Sequence, residues 1–589
     1  MPRLGSIEPR AMLPAMRAPW LLCTLATLSI QACSKDEALP GSDGAISGMD
    51  VVAAADSGTG AMDAAPAADA GPGADAAPAP DGGPTADATP AADATPAADA
   101  TPAADAGPGA DATAAPDAAP TGDAGASALP GPGERAIGRG GLYFGTPERF
   151  NRYYTDPSWT PQATIYVSPN GAGNGNSNAT PTSVTDGLNR AQPGTRVLFL
   201  AGAYSGCYQL DSTQSGTYDQ PIVLQAERGA GGGRGVTIDC CNSGRQTCIN
   251  LEAANYVAVE GFELRGGRYG VRGVGELTGS GTTHQKGLAV LDCYGHDQNN
   301  DPFFTGQSDW VVLDGLLATG AGAGDGHGIY MSNGSDYLIA RNIELHSNAS
   351  ADFQINADPA FGCTDQGIPL DDARCDGPAA MGQGEGVSEY VTVEYNYFHH
   401  GNAQGANFTS VRNSIVRNNF FGFYARHGVS FWQETNNPRL GSSDNQVLHN
   451  LFISTSNRQA LQFVVDSDRN LVANNLFLGL NVNGNTATAN PNAVLLEVDN
   501  SVGNNVWIGN TWVSGQLSGR TPNAREIVIP TFDPTWFTGF GVTVTTPVGG
   551  FHPHGAPLAG AVPRIPSVPI DFTGAARADP TASGPFEAQ

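Results

Sequence analysis

A short hydrophobic phrase recurs through the second half of the chain. Aliphatic residues alternate with polar ones, one or two asparagines follow, and an aromatic or aliphatic pair then leads into polar turn residues. The phrase reads VTVEYNYFHHGN from 391, NSIVRNNFFG from 413, NQVLHNLFIS from 445, NLVANNLFLG from 470 and NNVWIGNTWVSG from 504. Strand-like phrases at this recurrence predict a solenoid, in which each coil buries its apolar face against its neighbours.

The recurring asparagines have a structural explanation. Asparagine tolerates left-handed backbone at a tight turn, and stacked amides can hydrogen-bond from one rung to the next. We therefore expect them to shape the coils rather than to bind a ligand, and we expect the repeat to stop near Arg520. The residues concerned are Asn396, Asn418, Asn450, Asn474 and Asn510.

A second series of apolar runs lies one turn after these phrases, at 327–331, 353–356, 428–432, 461–463 and 494–496. We predict that they form one long parallel sheet. Period-two alternation then sorts their side chains into two faces. The inward set is Ile329, Met331, Phe353, Ile355, Val429, Phe431, Leu461 and Phe463, and the outward set is Tyr330, Gln354, Asn356, Ser430, Trp432, Gln462, Glu497 and Asp499.

The folded part opens with YVSPNG at 166–171, a helical pattern at 183–191, AQPG at 191–194, an apolar strand and AGAY at 201–204. This order resembles the start of bacterial secreted β-helix proteins of the pectate-lyase-like superfamily, whose short helix plugs the open end of the solenoid. The C-terminal phrases around 557–560, 571–574 and 584–587 resemble the tail of such proteins. The resemblance implies an all-β, right-handed, single-stranded parallel β-helix over 136–530, and a C-terminal capping segment over 531–589.

The first 135 residues have a different composition. Residues 1–33 carry arginines, then an apolar stretch, and end in Ala32-Cys33, which resembles a bacterial lipobox with Cys33 as the lipidated residue. A free cysteine beyond an ordinary cleavage site stays open as the alternative. Residues 34–135 are rich in Ala, Asp and Pro and hold more than half of the net charge of −28, so we predict a disordered stalk.

These features predict an exported, monomeric lipoprotein on the bacterial cell surface or outer membrane, held to the membrane through its lipid. The acidic balance argues against a nucleic-acid partner. We predict no cofactor and no structural zinc, and calcium stays possible as a ligand of the acidic stretch.

Export makes disulfides plausible. Cys363 and Cys375 would close a Gly/Pro/Asp-rich excursion between 358 and 386. Cys248 is expected to pair with Cys240 or Cys241, and Cys293 is the candidate for an unpaired thiol.

The superfamily resemblance also implies candidate chemistry. The phrase from Ser410 to Phe420, followed by Ala425-Arg426-His427-Gly428, resembles a motif of alginate and chondroitin lyases. Arg426 falls on the family's catalytic arginine, whereas Arg412 is only the nearest basic residue to the missing lysine. Because a guanidinium stays protonated, Arg412 would be a poor base.

Three hypotheses follow. The first is a surface protein that binds a polysaccharide on the sheet face without turning it over, through His327, Tyr330, Gln354, Trp432 and Gln462. The second is a polysaccharide lyase whose catalytic candidates are Arg412, Arg426 and His427, with Tyr330 nearby. The third is a structural or adhesive protein with a protein partner.

Overall fold

The structure is a computed structural model, which describes residues 142–587 apart from 230–232, 241–245, 279–280, 323–324, 365–366, 371, 373–374, 376–385, 436, 539, 546–550, 554–557 and 559. The expected signal segment, Cys33 and the stalk lie outside the described residues. Three long sheets dominate, and their strands are numbered here in chain order.

Sheet A consists of β1 (Ala163–Val167), β2 (Thr195–Phe199), β5 (Ile222–Ala226), β8 (Val257–Glu260), β14 (Ala289–Leu291), β18 (Val311–Asp314), β21 (Leu338–Arg341), β25 (Thr392–Glu394), β29 (Ile415–Arg417), β32 (Gln446–Leu448), β35 (Leu471–Ala473) and β39 (Val506–Ile508). Sheet B consists of β3 (Gly202–Ser205), β6 (Val236–Cys240), β9 (Glu263–Gly266), β15 (Tyr294–His296), β19 (Leu317–Thr319), β22 (Glu344–His346), β26 (Tyr397–His399), β30 (Phe420–Gly422), β33 (Leu451–Ser454), β36 (Leu476–Asn483), β40 (Thr511–Val513) and β42 (Ile527–Ile529), with β37 (Thr486–Ala489) folded back on β36.

Sheet C consists of β4 (Tyr208–Leu210), β7 (Thr247–Glu252), β10 (Tyr269–Val274), β16 (Phe303–Gly306), β20 (Ile329–Ser332), β23 (Phe353–Asn356), β27 (Ala406–Thr409), β31 (Val429–Trp432), β34 (Leu461–Phe463), β38 (Val494–Val498) and β41 (Gln516–Ser518). Short pairs are β11 (Glu276–Thr278) with β12 (Gly281–Thr283), β13 (Gln285–Lys286) with β17 (Ser308–Asp309), β24 (Ser388–Glu389) with β28 (Val411–Arg412), and β43 (Phe537–Thr538) with β44 (His552–Pro553). The helices are α1 (Arg152–Thr155), α2 (Val184–Asn189) and α3 (Pro359–Gly362), with 3₁₀ turns at Ser212–Gln214, Pro438–Leu440 and Pro534–Trp536.

Each coil visits sheet A, then B, then C, and pairs in parallel with the coils before and after it. This is a right-handed parallel β-helix, the hand that parallel crossovers adopt almost without exception. The predicted fold class is thus confirmed. The end of the repeat was placed too early, because β42 still pairs with β40 beyond Arg520.

The corner from sheet A to sheet B is the most regular part of a coil. From β8 to β39 it always has two residues, and the first always has a positive φ. The second points into the core, and in the last five coils it is an asparagine. The first four of these amides each donate to the next at 3.0 Å, in the order Asn396, Asn419, Asn450, Asn475 and Asn510.

The prediction that asparagines shape the turns and form a ladder is therefore confirmed, but two of the residues named for the ladder were wrong. Asn418 and Asn474 supply left-handed backbone, with φ of 54° and 56°. The ladder itself uses the residues that follow them, Asn419 and Asn475. Both roles occur in one dipeptide, because the first residue turns the chain and the second faces inward.

The amino-terminal end of the solenoid is closed by α2, as predicted. The Ser183 side chain accepts a hydrogen bond from the Asp186 backbone and caps the helix. Val184 and Leu188 are buried against Ile165 and Val167 of the first coil. The helix covers core and strand edges that would otherwise face water.

Terminal segments cover the outer faces of two sheets. The segment that contains α1 packs Phe150, Tyr153 and Tyr154 on sheet A. The segment after Ile529 lays a row of phenylalanines on the apolar outer side of sheet B, among them Phe537 and Phe551. The outer face of sheet C carries no comparable apolar cover among the described residues.

The disulfides agree with the sequence in one case and correct it in another. Cys363 and Cys375 are bonded, which is the predicted pair. Cys248 is a free buried thiol, and Cys240 pairs with Cys207 instead. Cys241, the other partner considered for Cys248, lies outside the described residues. Cys293 is also free and buried, and burial raises the pKa of both thiols to about 12, which makes them unreactive.

Candidate functional site

The predicted long parallel sheet is sheet C, and its outward side chains stand in register from coil to coil. We call one such row the outer column: Arg272, Phe304, Tyr330, Gln354, Asn407, Ser430, Gln462 and Glu497. Adjacent strands lie ~4.8 Å apart, so the column presents one side chain per rung along the axis of the solenoid. The side chains that were predicted to point inward are buried in the core.

Two neighbouring positions of the column, Phe304 and Tyr330, are aromatic. The Phe304 and Tyr330 rings meet edge to face with centroids 5.4 Å apart, and Tyr269 lies 4.9 Å from Phe304. The His327 ring lies 4.9 Å from that of Tyr330, and its Nδ1 is 3.1 Å from the buried carboxylate of Asp301. The Asp301 carboxylate also accepts the His327 backbone N–H, so the imidazole is held in place.

The middle of the column is a chain of hydrogen bonds between amides. The Asn407 amide donates to Gln354 Oε1 at 2.9 Å and accepts from His427 Nε2 at 3.1 Å. Gln462 donates to the Ser430 hydroxyl at 2.7 Å. Gln354 and Ser430 are only 8% and 1% exposed, so this part of the face is recessed more deeply than alternation alone indicates.

Two excursions of the chain form a wall beside the outer face, where the sheet C strands end. The half-buried Trp432 lies there, and Asn356 donates to Glu434 at 3.0 Å. Asn437 donates to the Leu370 carbonyl at 3.1 Å, which ties two excursions together. The Cys363–Cys375 disulfide closes one of these excursions, so the wall is cross-linked.

The opposite edge, where the strands begin, is basic. Arg426 and Arg458 are exposed there, and both act electrostatically on His427. Burial, together with these two cations, lowers the pKa of the His427 imidazole to about 4. The ring is therefore neutral at pH 7, with its proton on Nε2, because Asn407 Oδ1 can only accept.

Arg412 does not belong to this edge, so the three residues of the lyase hypothesis do not lie together. Arg412 follows β27 and pairs in register with Glu389, whereas Arg426 precedes β31. Since β27 and β31 are parallel neighbours in register, the two arginines lie at opposite ends of their strands. The resemblance was local in sequence, and the coil geometry separates its parts.

Two members of the site were missed by the sequence reading. Phe304 and Asn407 occupy the same column as Tyr330. The run Gly405-Ala406-Asn407-Phe408 has the same glycine-plus-apolar pattern as the other face strands. Assigning one sheet C strand to every coil would have identified this run and Asn407 within it.

A buried carboxyl lies just before β23, on the inner side of the same edge. The Asn348 amide donates to Asp352 at 2.8 Å, and the phenol of Tyr424 lies next to the same carboxyl. Burial raises the pKa of Asp352 to about 8. Asp352 is completely buried, so it cannot touch a ligand on the outer face.

This carboxyl predicts a pH dependence of stability. Between its unfolded pKa of about 3.9 and its folded value, only the unfolded chain releases the proton, so stability falls as pH rises from about 4 to 8. Asp352→Asn keeps a neutral group and should flatten that fall, giving a higher Tm than wild type at pH 8. Thermal unfolding at pH 5 and pH 8, with the exposed Asp325→Asn as control, measures it. An unchanged pH profile in Asp352→Asn would contradict the assignment.

Within the described residues, no group of three or more His, Cys, Asp or Glu side chains is arranged to hold a metal ion. Among the same residues, no helix combines the length and apolarity required to cross a membrane.

The fold and this face define a parallel β-helix protein with a polar and aromatic surface on one sheet. No protein-family model and no curated protein sequence matches the chain. Solved β-helix structures do resemble it, among them a pectate lyase with 13% identity and a TM-score of 0.46, covering 73% of this chain and 98% of that chain. An alginate lyase from Paenibacillus sp. has 13% identity and a TM-score of 0.32 over 62% of this chain and 99% of that chain. The A-module of a mannuronan C-5 epimerase from Azotobacter vinelandii has 13% identity and a TM-score of 0.35 over 56% and 90%.

Proposed function

We propose that the outer face of sheet C binds a polysaccharide that lies along the outer column. One observation carries the proposal: sheets A and B lie beneath terminal segments, whereas sheet C presents aromatic rings and amides in register. Sugars offer apolar C–H faces and hydroxyl groups together. Aromatic rings match the first, and amide or hydroxyl side chains match the second.

The charges at the edge favour an acidic glycan. Arg426 and Arg458 stand beside the amide part of the column, where they can pair with carboxylates of a uronate chain. Alginate, pectate and chondroitin are therefore the first ligands to test.

Binding without turnover is favoured over lyase chemistry. A lyase must remove the C5 proton of a uronate, and the neutral imidazole of His427 is the candidate base at this face. A pKa of about 4 makes that imidazole a weak base at neutral pH, and Arg412 lies at the other end of the strands. Burial raises the pKa of Tyr330, so its phenol keeps its proton at neutral pH and cannot act as the base either.

We further propose that Cys33 carries a lipid and that residues 34–135 tether the β-helix at the bacterial surface. The support is the lipobox-like end of residues 1–33 and the low-complexity composition that follows. Two or more acyl chains would make membrane attachment durable.

Removing the aromatic and amide contacts tests the binding proposal. Tyr330→Ala and Gln462→Ala should each weaken binding of an acidic glycan about tenfold, which is roughly 1.4 kcal/mol. Calorimetry or affinity electrophoresis with alginate, pectate and chondroitin measures the change. Tyr166→Ala, on another face, is the matched control and should bind like wild type.

Two outcomes would contradict this proposal. Full affinity in both variants would remove the outer column as the site. The second outcome is absorbance from newly formed unsaturated uronate ends. If Arg426→Ala and His427→Ala abolish this absorbance, the protein is a lyase that acts at the same edge.

A further inference from the structure

A cavity of about 260 Å³ lies away from the outer column, between the amino-terminal segment and the corner where sheet A begins. Its lining comes from the loop after α1 and from the residues just before β1, β2 and β5. The side chains that matter are those of Arg152, Trp159, Gln162, Asp219 and Gln220. This volume is below that of a typical drug-sized pocket, and it suits one sugar ring rather than a chain.

The cavity is held in shape by contacts that do not need a ligand. The indole N–H of Trp159 donates to the Asp219 carbonyl at 3.2 Å. The indole ring meets the buried ring of Tyr153 edge to face, with centroids 5.3 Å apart. Arg152 donates to an Asp219 carboxylate oxygen at 3.0 Å and also bonds Asp156 at 3.1 Å.

The charges in and beside the cavity select the kind of ligand. The Arg152 guanidinium of the lining pairs with Asp219, which also belongs to the lining, and with Asp156, which does not. Hydrogen bonds from Ser158 lower the pKa of Asp156, and Arg152 lowers it further, so Asp156 is ionised at neutral pH. The local balance is therefore negative, which disfavours a uronate or a sulfated sugar.

The chemistry matches a neutral sugar. The Asp219 carboxylate can accept hydroxyl groups with its second oxygen, and the amides of Gln162 and Gln220 can both donate and accept. The indole offers an apolar surface for the C–H face of a pyranose. We propose that this cavity is a second carbohydrate site, which binds a single neutral hexose unit and works independently of the outer column.

The test uses the whole protein and methyl glycosides of glucose, galactose and mannose, with glucuronate as the charged comparison. Titration calorimetry and saturation-transfer NMR should detect at least one neutral glycoside in the millimolar range, and glucuronate should bind at least tenfold more weakly. Asp219→Asn preserves shape and should weaken the neutral glycoside about tenfold while narrowing its advantage over glucuronate. Gln162→Ala should weaken it as well.

Matched controls separate this site from the face of sheet C. Gln192→Ala, an exposed glutamine outside the cavity, should bind like wild type, and so should Tyr330→Ala. Absence of binding by every neutral glycoside would overturn the proposal. Equal binding of glucuronate by an Arg426→Ala/Arg458→Ala protein, which lacks the cations beside the outer column, would also overturn it, as would retention of full affinity in Asp219→Asn. None of these outcomes depends on whether the outer column binds an acidic glycan.

Discussion

Replacing Glu394 with glutamine should lower the free energy of unfolding by about 3–5 kcal/mol. The Glu394 carboxylate lies on the outer side of sheet A beneath the amino-terminal segment and is completely buried. It bonds Arg341 at 2.5 Å and Arg417 at 2.7 Å, and each of these guanidiniums is only 2% exposed. A neutral amide would remove the carboxylate that both buried guanidiniums bond.

Denaturant unfolding followed by circular dichroism measures this loss. Asp444→Asn is the matched control, because it removes the same charge from an exposed pair with Arg469 and should cost at most about 1 kcal/mol. Replacing Arg341, Glu394 and Arg417 together with apolar residues of similar size should recover most of the stability, since desolvation of the ions then disappears. A loss below about 1 kcal/mol in Glu394→Gln would show that water reaches the triad.

Asn450→Ala should lower the free energy of unfolding by about 3–4 kcal/mol, the second large effect. The Asn450 amide donates to the Val416 carbonyl at 2.9 Å and to Asn475 at 3.0 Å, and its oxygen accepts from Asn419. Alanine would remove these side-chain hydrogen bonds at a position that is completely buried. A cavity of amide size would add to the cost.

The comparison variant is Asn483→Ala, in the exposed β36–β37 hairpin, which should change stability by less than about 0.5 kcal/mol. Denaturant curves of both variants give the difference. If Asn450→Ala and Asn483→Ala lowered the free energy of unfolding by the same small amount, the asparagine ladder would not contribute to stability.

Much of the fold follows from local sequence pattern. Alternation at Ile329, Tyr330 and Met331 assigns each side chain to a face, because a strand has a period of two whatever its neighbours are. The αL-prone residues and asparagines at the A–B corner repeat with every coil, so the coil boundaries can be found without a structure. The inward-facing side chains and the capping helix could also be predicted, because both follow from local sequence pattern.

Other features depend on contacts between distant residues. The Cys207–Cys240 bond joins positions 33 residues apart, and no spacing rule favours it over a bond to Cys248. Arg412 and Arg426 are close in sequence, but they stand at opposite ends of parallel strands. The covering of sheets A and B by the segments around α1 and after Ile529, which leaves sheet C as the open face, is likewise a property of packing between segments.

The two-residue corner between sheets A and B has a consequence for how such a protein can diversify. From β8 to β39 that corner never changes length, whereas the connections that flank sheet C range from two residues after Gly266 to the long excursion between Asn356 and Thr392. A longer or shorter connection beside sheet C therefore leaves the residues of the A–B corner unchanged. The surroundings of the proposed binding face can vary in this way while the corner that defines each coil stays the same.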